Sequence, residues 1–472
     1  MSIEARSIDH VPEGERHGRV GAQGPFWFLG NFHFFTVTIG FIGPSLGLSL
    51  SATAVAGTLG VLFGTLFMAF HAAQGAELGL PQMIQSRAQF GYKGVLVPLF
   101  GALFTFLGFN VINTIIVAQG LEAIWHLDPL PVSIGLALVG AGLAIWGHDW
   151  LHAAFRLLFW INLPMVSLLS LAILAGAVPA AGVPVAASFG WAAFFAQFAA
   201  SASYNITYAP YVSDYSRYLP RGTPARAIIA NVYFGAALSA IWLIILGAWL
   251  ATRIGATDGV AALVTAGNSL VPGFGVLLAL VSIGALVATM GINAYSGMLT
   301  IITGIDSIRP VAPTPRLRVA LVAGLALTWL VLAVSFGGNA IEALNATLIA
   351  MLYLLAPWTA VNLVDYFVLR KGRYAIVDLA LPGGIYGAWD RRGLIGYGAG
   401  LLASVPFFAI HGVWIAPVAL WLGGVDIAWL VGLAVGAGVY LFASRRFDIT
   451  AELPAIAASE AALRGDAIAS NA

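Results

Sequence analysis

Two stretches of this chain hold the residue types needed to grip a flat, hydrogen-bonding molecule in an apolar surround. The first, GFNVINTIIVAQ at residues 108–119, sets Phe109 and Asn113 four apart, on one face if the stretch is helical. The second, ALVATMGINAYSG at residues 285–297, offers Thr289, Asn293, Tyr295 and Ser296. An aromatic ring gives a stacking surface, worth roughly 1–3 kcal/mol per base in nucleic-acid sites, and amides present both donors and acceptors to a ring edge. The same side chains also serve as hydrogen bonds between helices, worth about 0.6 kcal/mol each on average, so both readings stand for any one of them. Groups for bond-making chemistry are missing. The sequence has no HExxH, no GxxxxGK[ST] and no Cys for a disulfide or a thiolate metal site. A metalloenzyme and an ATP-driven pump are therefore disfavoured, no cofactor is expected, and a transporter stands against a multispan membrane enzyme or receptor.

The elements that must position these residues are membrane spans. The chain is 60% hydrophobic and 9% charged over 472 residues, with a mean hydropathy of +0.92, whereas soluble domains carry roughly 25% charge. A span needs about 20 apolar residues to cross the hydrocarbon layer. Charge-free runs of that kind lie near 26–47, 52–73, 95–119, 131–147, 157–178, 189–213, 227–252, 272–300, 319–336, 343–364, 394–410 and 427–443, which predicts an all-α integral membrane protein of twelve helices. Residues 413–422 are apolar but short and broken by Pro417, so they read as an outer loop or interfacial turn. Residues 1–25 lack the basic start and apolar core of a cleavable signal peptide. A net charge of +1 gives no sign of a nucleic-acid partner.

Charge sets the orientation. Of the 21 Lys and Arg residues, all but Arg253 fall in one alternating set of gaps between the runs. Basic residues next to spans stay on the cytoplasmic side, so an even count places both termini inside a cell inner or plasma membrane. Arg6, Arg16 and Arg19 mark that side before the first span, and Arg445 and Arg446 mark it after the last. The Gly-rich, charged stretch 365–393 reads as a structured cytoplasmic loop between ten spans and a final pair, helices 11 and 12 at 394–443; the tails are 1–25 and 444–472. Ten spans divide into two sets of five, about 26–178 and 189–364 within a 26–364 core, and an odd-numbered set repeated in one chain inserts its second copy upside down. Such inverted repeats place their sites where helices break near the midplane. The first span carries Thr36, Thr38, Gly40, Gly43, Pro44 and Gly47, and the sixth carries Ser201, Ser203, Asn205, Thr207 and Pro210, which are the residues of broken helices. Close packing of small residues explains either span alone as well.

Four motifs carry a family resemblance. GLPQMIQSRAQFGYKG at 79–94, SDYSRYLP at 213–220, VNLVDYFVLRKGRY at 361–374 and GGVDIAWLVGL at 423–433 resemble the nucleobase-cation-symport-1 family, on its purine and cytosine permease branch, and the likeness runs from about residue 20 to 446. The resemblance implies the five-plus-five inverted repeat of the leucine-transporter fold with two additional C-terminal helices. It also implies import of a nucleobase (cytosine or purines) by alternating access and symport with H⁺ or Na⁺, with allantoin, hydantoin, uracil and pyridoxine-type rings as alternatives. Its partners are thus a small nucleobase-like substrate, a coupling cation and the bilayer. By the same resemblance Phe109 is the stacking aromatic of the third helix, Asn113 its polar neighbour, Tyr204 or Tyr208 the sixth-helix aromatic, and Asn293 the reader of the base edge.

The coupling ion is less determined. Sodium-coupled relatives resemble a pattern of first-helix oxygens, here around Thr38, with a hydroxyl or amide pair on the eighth helix; here that pair is Ala288-Thr289, and one side-chain oxygen is absent. His33 is an ionisable residue in the first span and a candidate proton carrier, set against a neutral packing role. Outside the spans, Asp214 and Arg217 read as anchors at the membrane interface in preference to a cytoplasmic gate pair, Arg87 as a headgroup contact in preference to a substrate ligand, and Asp365 as a cap on the tenth span or a partner of a nearby Arg.

Overall fold

The first predicted span does break. In the computed structural model, which describes residues 7–180, 188–255 and 258–470 and so leaves Arg6 outside, α1 (Val20–Asn31) is followed by α2 (Phe34–Ile39) and α3 (Ile42–Ser45), with a bend of 59° between α1 and the Phe34–Ser45 segment. Two residues make the break: Phe32 leaves helical geometry and His33 is extended, at φ −149° and ψ 168°. The freed backbone acceptors are met by side chains, as they must be inside a membrane. Tyr208 Oη donates to Gly30 O at 2.8 Å, Thr36 Oγ1 to Asn31 O at 2.5 Å, and Asn162 Nδ2 to Phe32 O at 2.6 Å.

The sixth predicted span is interrupted more gently, between α10 (Trp191–Ile206) and α11 (Ala209–Ser216): Thr207 and Tyr208 form a turn that keeps right-handed helical dihedrals, and Pro210 stands in the first turn of α11. Between the two broken spans run α4 (Leu50–Leu78), the short buried turns α5 (Gln82–Gln85) and α6 (Arg87–Phe90), α7 (Leu96–Trp125), α8 (Pro129–Trp146) and α9 (His148–Leu174). Ser49 caps the start of α4, its Oγ accepting from Ala52 N, and Gly79 closes the helix at φ +63°. Along α4, Gly60 and Gly64 bring the backbone of α10 so close that an added Cβ would stand 2.2 Å from Phe198 O and 2.0 Å from Ala202 O. Small residues at such a seam are how helices associate where apolar burial gives no driving force.

After α11 come α12 (Ala225–Arg253), α13 (Gly259–Asn268), α14 (Phe274–Ile308), α15 (Pro315–Val334) and α16 (Ala340–Leu363), which runs on into one wider π turn at Val364–Leu369. The remainder is α17 (Arg391–Ser404), a two-stranded hairpin of β1 (Ala409–Ile410) and β2 (Trp414–Ile415), α18 (Pro417–Trp421), α19 (Ala428–Ala443) and α20 (Leu453–Ser470). Residues 413–422 are thus built as strand, turn and short helix, and the C-terminal tail carries a helix of its own. Among the described residues, eight helices are long and apolar enough to cross a membrane, nine with the bent pair α1 to α3. The other three predicted spans meet shorter elements: α10 with α11, α17, and α19. Outward faces are apolar, as with Leu174 at 83% exposure, which suits a protein surrounded by lipid.

Candidate functional site

The two breaks point their side chains at α7 and α14. Phe109 of α7, Tyr204 of α10 and Tyr208 beside the α10–α11 break are all buried. The rings of Phe109 and Tyr208 are nearly parallel, 20° apart with centroids 6.2 Å from each other. Two stacking contacts at ~3.5 Å each would need about 7 Å, so at 6.2 Å the two rings would have to move apart to sandwich one flat ring. Tyr204 lies at the same 6.2 Å from Phe109 but edge-on, at 74°, and its hydroxyl shares a hydrogen bond with Thr36 Oγ1 at 2.8 Å. The spacing of the sequence leaves these two tyrosines equivalent; the geometry separates them.

The polar lining is uncharged. Asn293 of α14 donates from Nδ2 to Asn110 Oδ1 at 2.9 Å, and its Oδ1 accepts from Tyr211 Oη at 3.1 Å. Asn113 is buried, and its Oδ1 has no hydrogen-bond partner among the described residues. Asn31, at the end of α1, donates to Asn205 Oδ1 at 2.8 Å and to Ala236 O at 2.9 Å, tying the first break to α10 and α12. Phe35 of α2 completes the aromatic wall, 5.8 Å from Phe109 and 5.5 Å from Tyr204. Five predicted residues, Phe109, Asn113, Tyr204, Tyr208 and Asn293, therefore lie on the elements that meet at the breaks. Asn110, Tyr211, Asn31 and Phe35 join them without having been singled out; Asn110 sits inside the quoted 108–119 stretch, where an amide next to a stacking aromatic was the available signal.

The residues expected at a cation site are occupied locally. Thr38 Oγ1 donates to Phe34 O at 3.1 Å and Thr289 Oγ1 to Ala285 O at 3.2 Å, each within its own helix, and Ala288 is buried beside Thr289. His33 sits at the first break with Nε2 3.0 Å from Gly30 O.

Toward the end that carries both termini the chemistry turns ionic, and two sequence expectations are corrected. Arg87 does not reach headgroups: it is 1% exposed and donates to Asp306 Oδ2 at 2.8 Å, Ser307 Oγ at 2.9 Å and Leu379 O at 3.0 Å, with its guanidinium 4.0 Å from the Tyr92 ring centre. Asp214 and Arg217 are buried and not interfacial: Asp214 Oδ1 accepts from Gln82 N at 3.0 Å, and Arg217 donates to Ser7 O at 2.7 Å and Tyr295 Oη at 3.2 Å. Segments distant in sequence fold over these charges and take the place of water and lipid. Asp365 is the partner of Arg370 and also accepts from Gln89 Nε2, Tyr374 Oη and Tyr440 Oη, each at 2.7 Å. Burial beside that carboxylate holds the Tyr374 hydroxyl well above its ordinary pKa.

Comparisons with known proteins identify the family and the fold. A model of the family of permeases for cytosine/purines, uracil, thiamine and allantoin matches residues 10–432. YxlA of Bacillus subtilis (strain 168), provisionally named a purine-cytosine permease, is 36% identical over 446 residues, covering 93% of this chain and 95% of YxlA. The purine-cytosine permease fcyB of Emericella nidulans is 26% identical over 485 residues, covering 95% of this chain and 89% of its own. Among solved structures, Mhp1, a nucleobase-cation-symport-1 family transporter in a closed conformation with bromovinylhydantoin bound, superposes with a TM-score of 0.73 at 17% identity, covering 94% of this chain and 96% of Mhp1. The inward-facing conformation of Mhp1 gives 0.67 at 17% identity, with 94% of each chain covered. The fold is that of these membrane transporters, and the chain belongs to the purine and cytosine permease branch of the nucleobase-cation-symport-1 family, a transporter and not an enzyme.

Proposed function

We propose that the chain imports a nucleobase, cytosine or a purine, by symport with H⁺ or Na⁺ through alternating access. The observation that carries this is the near-parallel Phe109 and Tyr208 pair, 6.2 Å apart and set at the junction of two broken spans. In this reading the base lies between those rings, Tyr204 closes one side, and Asn113 and Asn293 read its edge. The unpartnered, buried Oδ1 of Asn113 supports that role, because an orphaned buried acceptor is costly unless a ligand meets it. The architecture proposed is twelve spans, with α10 and α11 forming one broken span and α17 and α19 supplying the last two, arranged as inverted repeats at 26–178 and 189–364 with both termini cytoplasmic. For sodium, Thr38 and Thr289 are the side-chain ligands; for a proton, His33 is the carrier.

The test is uptake of radiolabelled cytosine into proteoliposomes under imposed Na⁺ or H⁺ gradients, competed with unlabelled bases, allantoin, hydantoin and pyridoxine. Uptake that collapses with one gradient and is competed by bases supports the proposal and names the ion. Competition by pyridoxine alone would move the substrate toward that of TPN1, the vitamin B6 transporter of Saccharomyces cerevisiae, which is 24% identical over 327 residues covering 64% of this chain and 55% of its own. No uptake and no competition sinks the nucleobase reading.

A further inference from the structure

Asn293 ends in an amide, and an amide turned over by 180° exchanges its donor for its acceptor. Which way it points decides what a base edge meets. The hydrogen bonds around it form a chain with one unambiguous end: Asn110 Nδ2 donates to the backbone carbonyl of Met290 at 3.1 Å. A backbone carbonyl has lone pairs and no proton, so the amide of Asn110 must turn its NH₂ toward Met290 and its oxygen toward Asn293. That oxygen can only accept, so Asn293 must present its NH₂ to Asn110, at 2.9 Å, and its own oxygen to Tyr211 Oη, at 3.1 Å. Asn110 is 1% exposed and Asn293 likewise, so bulk solvent reaches neither side chain in this conformation. The chain leaves Asn293 with one N–H and one lone pair, in a fixed order, for a ligand.

We infer that Asn110 is a positioning residue for substrate selection: by way of the Met290 carbonyl it fixes the polarity of the Asn293 amide, and so sets the discrimination between amino bases and their oxo counterparts. The inference rests on the proposed role of Asn293 as reader of the base edge. Cytosine and adenine present a ring nitrogen acceptor beside an exocyclic NH₂; uracil and hypoxanthine present a carbonyl beside a ring N–H. A polarity-locked amide pairs with one class in the bound orientation and opposes the other, leaving buried groups unmet. An amide free to flip serves both.

The experiment is equilibrium binding of cytosine, uracil, adenine and hypoxanthine to the purified full chain and to two variants, with thermal unfolding as the control for folding. Asn110→Leu keeps the volume but removes the lock, and the ratio of affinities within each amino/oxo pair is expected to fall toward unity by about tenfold. Asn110→Asp retains an oxygen that accepts from Asn293, and in its protonated form a hydroxyl that donates to Met290 O; it is expected to keep the wild-type ratio within about threefold. A purely structural role for Asn110 would lower affinity for all four bases alike and leave the ratios alone. Ratios unchanged in a folded N110L, or collapsed in a folded N110D, overturn the inference while leaving the transporter reading intact. A wild-type protein that binds bases without telling the pairs apart also overturns it, and one that binds no base overturns both.

Discussion

The middle of the molecule and the end that carries its termini solve the burial of polar groups in opposite ways. Around the breaks the buried groups are amides, hydroxyls and backbone carbonyls, linked by Asn31, Thr36, Asn110, Tyr208, Tyr211 and Asn293 without a single ion pair among these residues. At the terminal end they are charges: Arg370 lies between Asp365 and Glu452, and Arg87 pairs with Asp306. A neutral network exchanges partners at a cost of about a kcal/mol per bond, which suits a place where a substrate comes and goes. A buried ion pair tolerates no vacancy, because the charge left behind is stranded. The centre is therefore built to be opened and the end to be held.

The largest effect should come from stranding a charge at that end. Arg370→Gln leaves Asp365 buried at 0% exposure beside two tyrosine hydroxyls, and should destabilise the purified protein by about 3–5 kcal/mol in thermal or denaturant unfolding. A loss below about 1 kcal/mol would mean that the end is not held by its ions. Asp426, in the loop before α19, sharpens the point, since it is a buried carboxyl with no ion-pair partner among the described residues. It accepts from Tyr353 Oη at 2.8 Å and Ala428 N at 3.0 Å, and burial pushes its pKa up to about 7. The unfolded chain releases this proton near pH 4 and the folded one near 7, so stability is full below about pH 4 and falls as pH rises through that window. Asp426→Asn should remove the slope: its melting temperature should match wild type near pH 4 and exceed it by several degrees at pH 8, a shift of up to about 4 kcal/mol. Equal melting profiles at both pH values would count against a neutral Asp426.

At the centre, Phe109→Leu keeps most of the volume and loses the flat face. Cytosine affinity should fall by roughly 10-fold, within the 1–3 kcal/mol of a stacking contact, with melting changed by no more than a few degrees. If melting falls as far as in Arg370→Gln while affinity holds, Phe109 is core and the proposed sandwich is wrong.

How much of this contrast is legible in the sequence follows from what each feature depends on. The break at 207–208 lies among the Ser, Asn, Thr and Pro residues that mark it in the sequence, whereas the one at 32–33 lies just before the Thr, Gly and Pro residues of the first span, at Phe32 and His33, which carry no such mark. The aromatic and amide residues were visible as types, and their partnership only through a family resemblance. Which of Tyr204 and Tyr208 lies parallel to Phe109 is a matter of ring angle, which spacing on a broken helix does not supply. The ionic end was hidden for a different reason. Arg87 looks like a loop residue until α14 delivers Asp306 from 219 positions away, and a loop charge carries no local sign of what will cover it. Likewise Arg370 and Glu452 are 82 apart, and nothing in the Ala-rich stretch after 444 foretells that it folds back onto the loop at 365–393.

That folding back allows a smaller and finer test within the terminal end itself. Glu452 meets Arg370, which is 1% exposed, at 2.8 Å, whereas Glu460 meets Arg221, which is 40% exposed, at 3.3 Å. Solvent screens the second pair and hardly touches the first, so the two glutamates, both next to or within α20, should differ. Glu460→Gln should cost no more than about 0.5 kcal/mol and lose even that in high salt. Glu452→Gln should cost more and keep its cost in salt, tempered by Asp365, which remains to neutralise Arg370. Melting curves of both variants at low and high salt make the measurement. Equal, salt-sensitive losses would place Arg370 in a solvated surface network and erase the distinction between an end that is held and a centre that opens.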